Sequence, residues 1–361
     1  MLNRISALRQ KIKDHGLDGM LINHAPNRRY LSGFTGSAGW IITSHKRTML
    51  AVDFRYVEQA KSEAADCEKC YIKDDIGQWL PEYVADMGII KLGIEADYMT
   101  VSQYQHIIKS FKEKKPSIQV IPVKNITESL RIYKDDLEIE CISKACEIAD
   151  RAVAYAQSHL RCGISEKQFA WELESFMRQN GSEVMPFDII VASGVNSAFP
   201  HARLGDKVIA EGEPVTIDMG ARYSGYCSDI TRTFSIGKED NKFNSIYNIV
   251  LSAQTAGLSL IKPEMEASVA DGLVRSMISN AGYGDNFGHG LGHGIGIEVH
   301  ESPRLGMASP DKLQEGMVFT VEPGIYIPGW GGVRIEDTAT IKSGKIICLT
   351  KSNKNALIVG G

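Results

Sequence analysis

Apolar residues at Leu2, Ile5, Leu8 and Ile12 recur every three or four positions, so the chain is expected to open with an amphipathic helix. Short apolar runs follow. GMLI, GWIIT and TMLAVDF read as strands, a helical stretch runs from about Tyr56 to Ala65, and KLGIEA and SIQVIPV read as further strands. Helix alternating with strand over residues 1–124 predicts a small α/β domain. The polar stretch KNITESLRIYKDD then suggests a linker over residues 125–136. From Leu137 a long helix is expected, because Ile139, Ile142, Cys146, Ala149, Val153 and Ala156 fall on one face. Ser165 and Gln168 form a capping box for a second helix, and Gly181 stands where a C-terminal glycine belongs. The rest of the segment 137–361 is expected to be α+β, with antiparallel strands.

Within that second segment two stretches share one design. PVTIDMG, a turn and YCSDITRTF make the first; MVFTVEPGIY, a Pro/Gly-rich turn and GVRIEDTATI make the second. Each reads as strand, turn, strand, and each arm carries one acid among apolar or β-branched neighbours. The acids are Asp218 and Asp229, then Glu322 and Glu336. A carboxylate in a buried strand loses several kcal/mol of solvation, so it must be paired, protonated or bound to a cation. Any one of these acids could face solvent on an edge strand. Four in two matching hairpins suggest a pseudo-two-fold arrangement that points them at one spot. Two divalent cations would balance that charge, and hard oxygen ligands with an imidazole suit manganese, iron or cobalt.

The imidazoles have a candidate source in FGHGLGHGIGIEVH, residues 287–300, which holds His289, His293 and His300 among alternating glycines. The spacing does not fit a dinucleotide loop, and His300-Glu301 lacks the second histidine of H-E-x-x-H. His293 and His300 are seven apart, so a straight strand would put them on opposite faces; a bend is needed for both to serve one site. His201 lies in a loop by its Gly, Asn and Pro content, and Arg334 shares a strand face with Glu336, where it could hold a ligand carboxylate or simply form an ion pair.

Composition narrows the class. A net charge of −4 gives no reason to expect nucleic acid or an acidic membrane as partner. No segment approaches the ~20 apolar residues of a membrane span. The seven cysteines are an odd number without framework spacing, which suits free thiols and a cytoplasmic protein; Cys67 and Cys70 have no second pair to complete a zinc site.

Together the residues resemble the Xaa-Pro peptidases (aminopeptidase P and prolidase) of the pita-bread metallopeptidase family, most of all its short bacterial members. The resemblance rests on MPFDIIVASG, FPHARLGD, VTIDMG, GYCSDITRTF, LGHGIGIEVHE, TVEPGIY and GGVRIED, with YLSGFTGSAG and VDFRYVEQA in the N-terminal part. It implies an α+β pita-bread catalytic domain at 137–361 behind a creatinase-like α/β domain at 1–124. It implies five ligands to two divalent ions, manganese first and cobalt, zinc or iron as alternatives: Asp218 on one metal, Asp229 and Glu336 bridging both, His293 and Glu322 on the second. His201 and His300 match the family's histidines near the scissile carbonyl, Arg334 its arginine behind the ligands, and Glu322 is the candidate to carry the proton. His289 receives no role. The implied partners are peptides with proline in second position, and a second copy of the chain in a homodimer. Rival readings are a methionine aminopeptidase on the same fold, the metal-free creatinase, and a non-enzymatic relative that binds protein or RNA.

Overall fold

The computed structural model describes residues 2–73, 75–237, 240–354 and 357–359. The chain forms two compact units, Met1–Arg131 and Ile132–Gly361.

The first unit is built on a mixed sheet. Its strands are β1 (Gly19–Ile22), β2 (Trp40–Ser44), β3 (Thr48–Val52), β4 (Glu68–Tyr71), β5 (Lys91–Glu95) and β6 (Gln119–Val123), in the order β4-β3-β2-β1-β5-β6. The neighbours β1–β2 and β2–β3 run antiparallel, and the remaining pairs are parallel. Helices α1 (Leu2–Asp14), α2 (Ala25–Ser32), α3 (Val57–Glu63), α4 (Ile76–Asp86), α5 (Val101–Lys114) and α6 (Glu128–Arg131) complete it. Ile5, Leu8 and Ile12 are buried, as the opening periodicity requires. The helix expected from Tyr56 is a 3-10 turn, Phe54–Tyr56, running into α3.

Two elements here depart from the hydrophobic pattern. Helix α2, APNRRYLS, buries Asn27 and Arg28 alongside Tyr30 and Leu31. Asn27 donates from Nδ2 to Glu95 Oε1 at 2.6 Å and accepts from Arg131 at 2.7 Å. That same bond explains α6, which lies inside the stretch read as a linker: Arg131 is buried because Asn27 satisfies it. The boundary of the compact units falls directly after this helix.

The second unit carries two sheets, each covered by a helix pair. One sheet has the order β19-β11-β8-β7, from β7 (Ile190–Ser193), β8 (Pro214–Met219), β11 (Ile230–Ile236) and β19 (Leu357–Val359), with β9 (Arg222–Tyr223) and β10 (Tyr226–Cys227) as a separate short pair. The other has the order β13-β12-β14-β17-β18, from β12 (Gly292–Gly294), β13 (Glu301–Leu305), β14 (Val318–Val321), β17 (Asp337–Lys342) and β18 (Lys345–Cys348); β15 (Gly324–Ile327) and β16 (Gly331–Arg334) form its short pair. Helices α7 (Asp136–His159) and α8 (Glu166–Gln179) pack on the first sheet through Ile148, Ala152, Phe169 and Leu173 against Val191, Ile217 and Phe234. Helices α9 (Asn241–Leu260) and α10 (Ala267–Asn280) pack on the second through Ile246, Val250, Val274 and Ile278 against Phe319, Val321 and Ile341. The face expected on α7 is buried from Ile142 to Ala156, and the capping box of α8 forms as Ser165 and Gln168 predict.

This architecture explains the two matching hairpins. β8 pairs antiparallel with β11, and β14 with β17. In each, the arms separate partway along and continue as a shorter ribbon, β9–β10 or β15–β16. The acids sit where the arms separate. Asp218 is near the end of β8 and Glu322 follows β14; Asp229 immediately precedes β11 and Glu336 immediately precedes β17. A carboxylate at such a split faces the opening between the arms.

Candidate metal centre

The four acids and His293 converge in the second unit. Ligand atoms of Asp229, His293 and Glu336 all lie within 4.8 Å of one another. His293 Nε2 is 3.6 Å from Asp229 Oδ2 and 3.5 Å from Glu322 Oε1. Its Nδ1 is 3.1 Å from the Gly294 carbonyl, so that nitrogen carries the proton and Nε2 presents a lone pair to the acids. The backbone N–H of His293 donates to Thr320 Oγ1 at 3.1 Å, which fixes the residue against β14.

Electrostatics alone would disfavour this cluster. Burial, with Glu336, Asp218 and Glu322 nearby, pushes the Asp229 carboxyl well above the usual carboxylate range. Burial, with Glu322 and Asp218 nearby, does the same to Glu336, and burial raises Glu322 to about 7. Burial pulls His293 down to about 4, so the imidazole is neutral and ready to ligate. Among the described residues, Asp218 Oδ1 and Asp229 Oδ1 are buried without a hydrogen-bond partner. Buried oxygens of this kind cost free energy unless something satisfies them. Oxygen-rich donors, one neutral imidazole and orphaned carboxylate oxygens fit divalent cations, and the donor set contains no thiolate.

Arg334 organises the rest. Its guanidinium donates to Asp218 Oδ2 at 2.7 Å, Thr231 Oγ1 at 3.1 Å, the Pro200 carbonyl at 3.2 Å and Tyr326 OH at 2.9 Å. Burial opposes its charge, but Tyr326, Asp218, Glu322 and Glu336 more than offset that and keep it protonated. Through Pro200 it ties down the loop that carries His201. Thr231 passes the contact on, donating to Glu336 Oε2 at 2.6 Å. Tyr326 OH, which accepts from Arg334, is 2.8 Å from His289 Nε2. His289 Nδ1 lies 2.8 Å from the Gly290 carbonyl and donates to it, so Nε2 accepts from the tyrosine. His289 is thus held, neutral, behind Arg334; burial lowers it to about 4.

His300 is exposed, and its ring meets His293 edge to face with centroids 4.4 Å apart. The required bend is present: β12 and β13 are antiparallel, their register shifts at His293/Gly294, and the chain turns between them. His201 is exposed as well. The residues that sequence reasoning passed over are Thr231, Thr320 and Tyr326. Each lies inside a quoted motif, and a hydroxyl within four positions of an acid was the available signal.

The pseudo-two-fold hairpins and the carboxylate–imidazole cluster between them define a metal-dependent hydrolase of the pita-bread type. Residues 140–343 match metallopeptidase family M24, and residues 4–133 match the Creatinase/Prolidase N-terminal domain. The chain belongs to metallopeptidase family M24 and is a hydrolase. It is 43% identical to an uncharacterized peptidase of Bacillus subtilis, over 99% of this chain and 100% of the relative. A solved Xaa-Pro dipeptidase from Bacillus anthracis superposes with a TM-score of 0.96 at 44% identity, covering 99% of each chain. The X-Pro aminopeptidase from Thermotoga maritima superposes with a TM-score of 0.90 at 37% identity, covering 97% of this chain and 100% of that one. Among the described residues no helix is long and apolar enough to cross a membrane.

Proposed function

We propose that the chain is a dinuclear-metal Xaa-Pro peptidase, removing the N-terminal residue from peptides with proline in second position. The observation that carries this is the convergence of Asp229, His293 and Glu336 within 4.8 Å, flanked by Asp218 and Glu322. The names borne by solved relatives, Xaa-Pro dipeptidase and X-Pro aminopeptidase, supply the substrate class. Asp218, Asp229, His293, Glu322 and Glu336 would hold two divalent cations, manganese by preference. When bound, such ions supply the Lewis acidity that makes water nucleophilic near neutral pH and polarises a carbonyl.

The chain's own groups do the rest. Glu322 reaches the edge of the cluster, 3.5 Å from His293 Nε2, which suits it to take a proton from water there and return it to the leaving imide nitrogen. His300 and His201 present exposed rings that donate hydrogen bonds to the carbonyl oxygen as it gains charge, worth ~2–4 kcal/mol each in the manner of oxyanion donors. Arg334 holds Asp218 and the His201 loop in one arrangement. A free α-amine is cationic and is favoured beside the acidic cluster, which accounts for exopeptidase action. The enzyme is proposed to work as a homodimer in the cytoplasm.

The test is hydrolysis of Xaa-Pro dipeptides, Xaa-Pro-Yaa tripeptides and a Met-Ala peptide by protein stripped of metal and refilled with one ion at a time. Cleavage of the proline substrates only after refilling is expected. Cleavage confined to Met-Ala, or undiminished turnover without metal, would overturn the reading.

A further inference from the structure

We propose that the buried Lys134–Glu301 ion pair is a positioning device for His300, which sets the imidazole at the reacting carbonyl without touching substrate or metal. The inference rests on the role given to His300 above. It begins from the acid left over in the His300-Glu301 pair, which neither ligates in the cluster nor faces solvent.

Lys134 and Glu301 have side chains 0% and 6% exposed, with Nζ 3.2 Å from Oε2. The other oxygen, Oε1, accepts the backbone N–H of Glu298 at 3.0 Å. Glu301 therefore closes the turn 295–300 from its far end. The near end is held separately: Cys227 N donates to the Gly296 carbonyl at 2.8 Å, and Gly296 N to the Glu298 carbonyl at 3.0 Å. His300 is the last residue of that closed turn, directly before the first position of β13, so the Glu301 carboxylate fixes the backbone from which the imidazole projects. Lys134 is fixed in turn. Its N–H donates to the Gly316 carbonyl at 2.8 Å, and Tyr133 bridges to Met317, directly before β14. The His300 turn is thereby tied to the start of the strand that Glu322 directly follows.

A purely stabilising role explains this pair poorly. Desolvating two charges costs about as much as their attraction returns, and apolar replacements of such pairs are often neutral or better. What an ion pair adds over an apolar contact is direction. Glycine at position 296 is consistent with that reading: a Cβ there would lie 2.8 Å from Oε2 and 2.9 Å from Oε1 of Glu301, so a larger residue would displace the carboxylate.

The test compares Lys134→Met, Lys134→Arg and Gly296→Ala in the wild-type and His300→Ala backgrounds, measuring kcat, KM and bound metal with an Xaa-Pro dipeptide. Lys134→Met and Gly296→Ala should each lower kcat about 10–100-fold, with KM and metal content unchanged. Lys134→Arg should restore most of the rate. In the His300→Ala background the same changes should lower kcat by no more than about twofold. Gly296→Ala removes no charge, so it serves if Lys134→Met does not fold. Equal losses in both backgrounds, or no loss in the wild-type background, would overturn the proposal. A readout independent of turnover is the His300 ring resonance of the zinc-loaded protein, assigned by its absence in His300→Ala. It should shift in Lys134→Met while the His201 ring does not, and an unmoved His300 signal overturns the proposal. If the wild-type protein cleaves no proline substrate, the functional reading fails, and this signal alone decides the positioning role.

Discussion

Asp229 shows the tension at the centre of the site. Its side chain is 7% exposed, one oxygen has no partner among the described residues, and three other acids stand nearby. Without a cation this residue opposes folding. Its protonation is pushed upward on folding, so ionisation at neutral pH favours the unfolded chain. Asp229→Asn should therefore stabilise the metal-free protein by about 1–2 kcal/mol, a rise of several degrees in Tm. The same change should remove the Tm increase produced by added manganese, and thermal unfolding with and without the ion reads both. A lower metal-free Tm would mean the carboxylate is satisfied by the protein itself. The acids were legible in the sequence because charge in a β-branched run needs an explanation. Tyr326, Thr231 and Glu301 were harder to read: a nearby acid marks the two hydroxyls, but the partners of all three lie 8 to 167 positions away and nothing in the sequence names them.

Among the elements, the glycine-rich stretch is where backbone geometry decides. A Cβ at Gly294 would collide with the Ser302 carbonyl across the β12–β13 pair, whereas one at Gly288 meets nothing within 4 Å. Gly294→Ala should cost about 2–4 kcal/mol, in the range of overpacked or strained sites, and Gly288→Ala less than about 0.5 kcal/mol. Urea unfolding of the two variants distinguishes a stretch that must approach its neighbours from a loop that is merely flexible. Element identity followed the hydrophobic period where that period was strong, as in α7 and the paired hairpins. Helices α2 and α6 escaped because they bury Asn27, Arg28 and Arg131, and a period of apolar residues cannot report a polar core. Helices α9 and α10 bury continuous apolar faces against the second sheet.

For the molecule as a whole, one buried network ties the C-terminal segment to the strands behind the site. Arg232 is fully buried and donates to the Thr231 and Glu336 carbonyls, to Asp337 Oδ1 at 2.8 Å, and to the Ser352 and Asn353 carbonyls. Asp337 also accepts from Gln254, Thr350 and Lys354. Burial works against its ionisation, yet Arg232 and Lys354 hold it below the usual range. Its contribution is therefore present above the ordinary carboxylate range and lost as pH falls through the lowered folded value. Breaking the pair by Arg232→Met should cost about 3–5 kcal/mol by urea unfolding at neutral pH, and less as the pH is brought below the ordinary carboxylate range, where Asp337 takes up its proton. An unchanged cost across that range would show that packing, not the ion pair, is at stake. The shared design of the two hairpins was legible because the acids repeat with them. The network of Arg232 was not, since its acceptors are mostly backbone carbonyls, which no sequence displays. On the proposed reading, the fold makes four buried or half-buried carboxylates tolerable by giving them cations to hold. The most direct measurement is calorimetric titration of the metal-free protein with manganese, beside Glu336→Gln. Two ions per wild-type chain, with one or both lost or much weakened in the variant, is the expected result. No binding to the wild type, or equal binding to the variant, would contradict it.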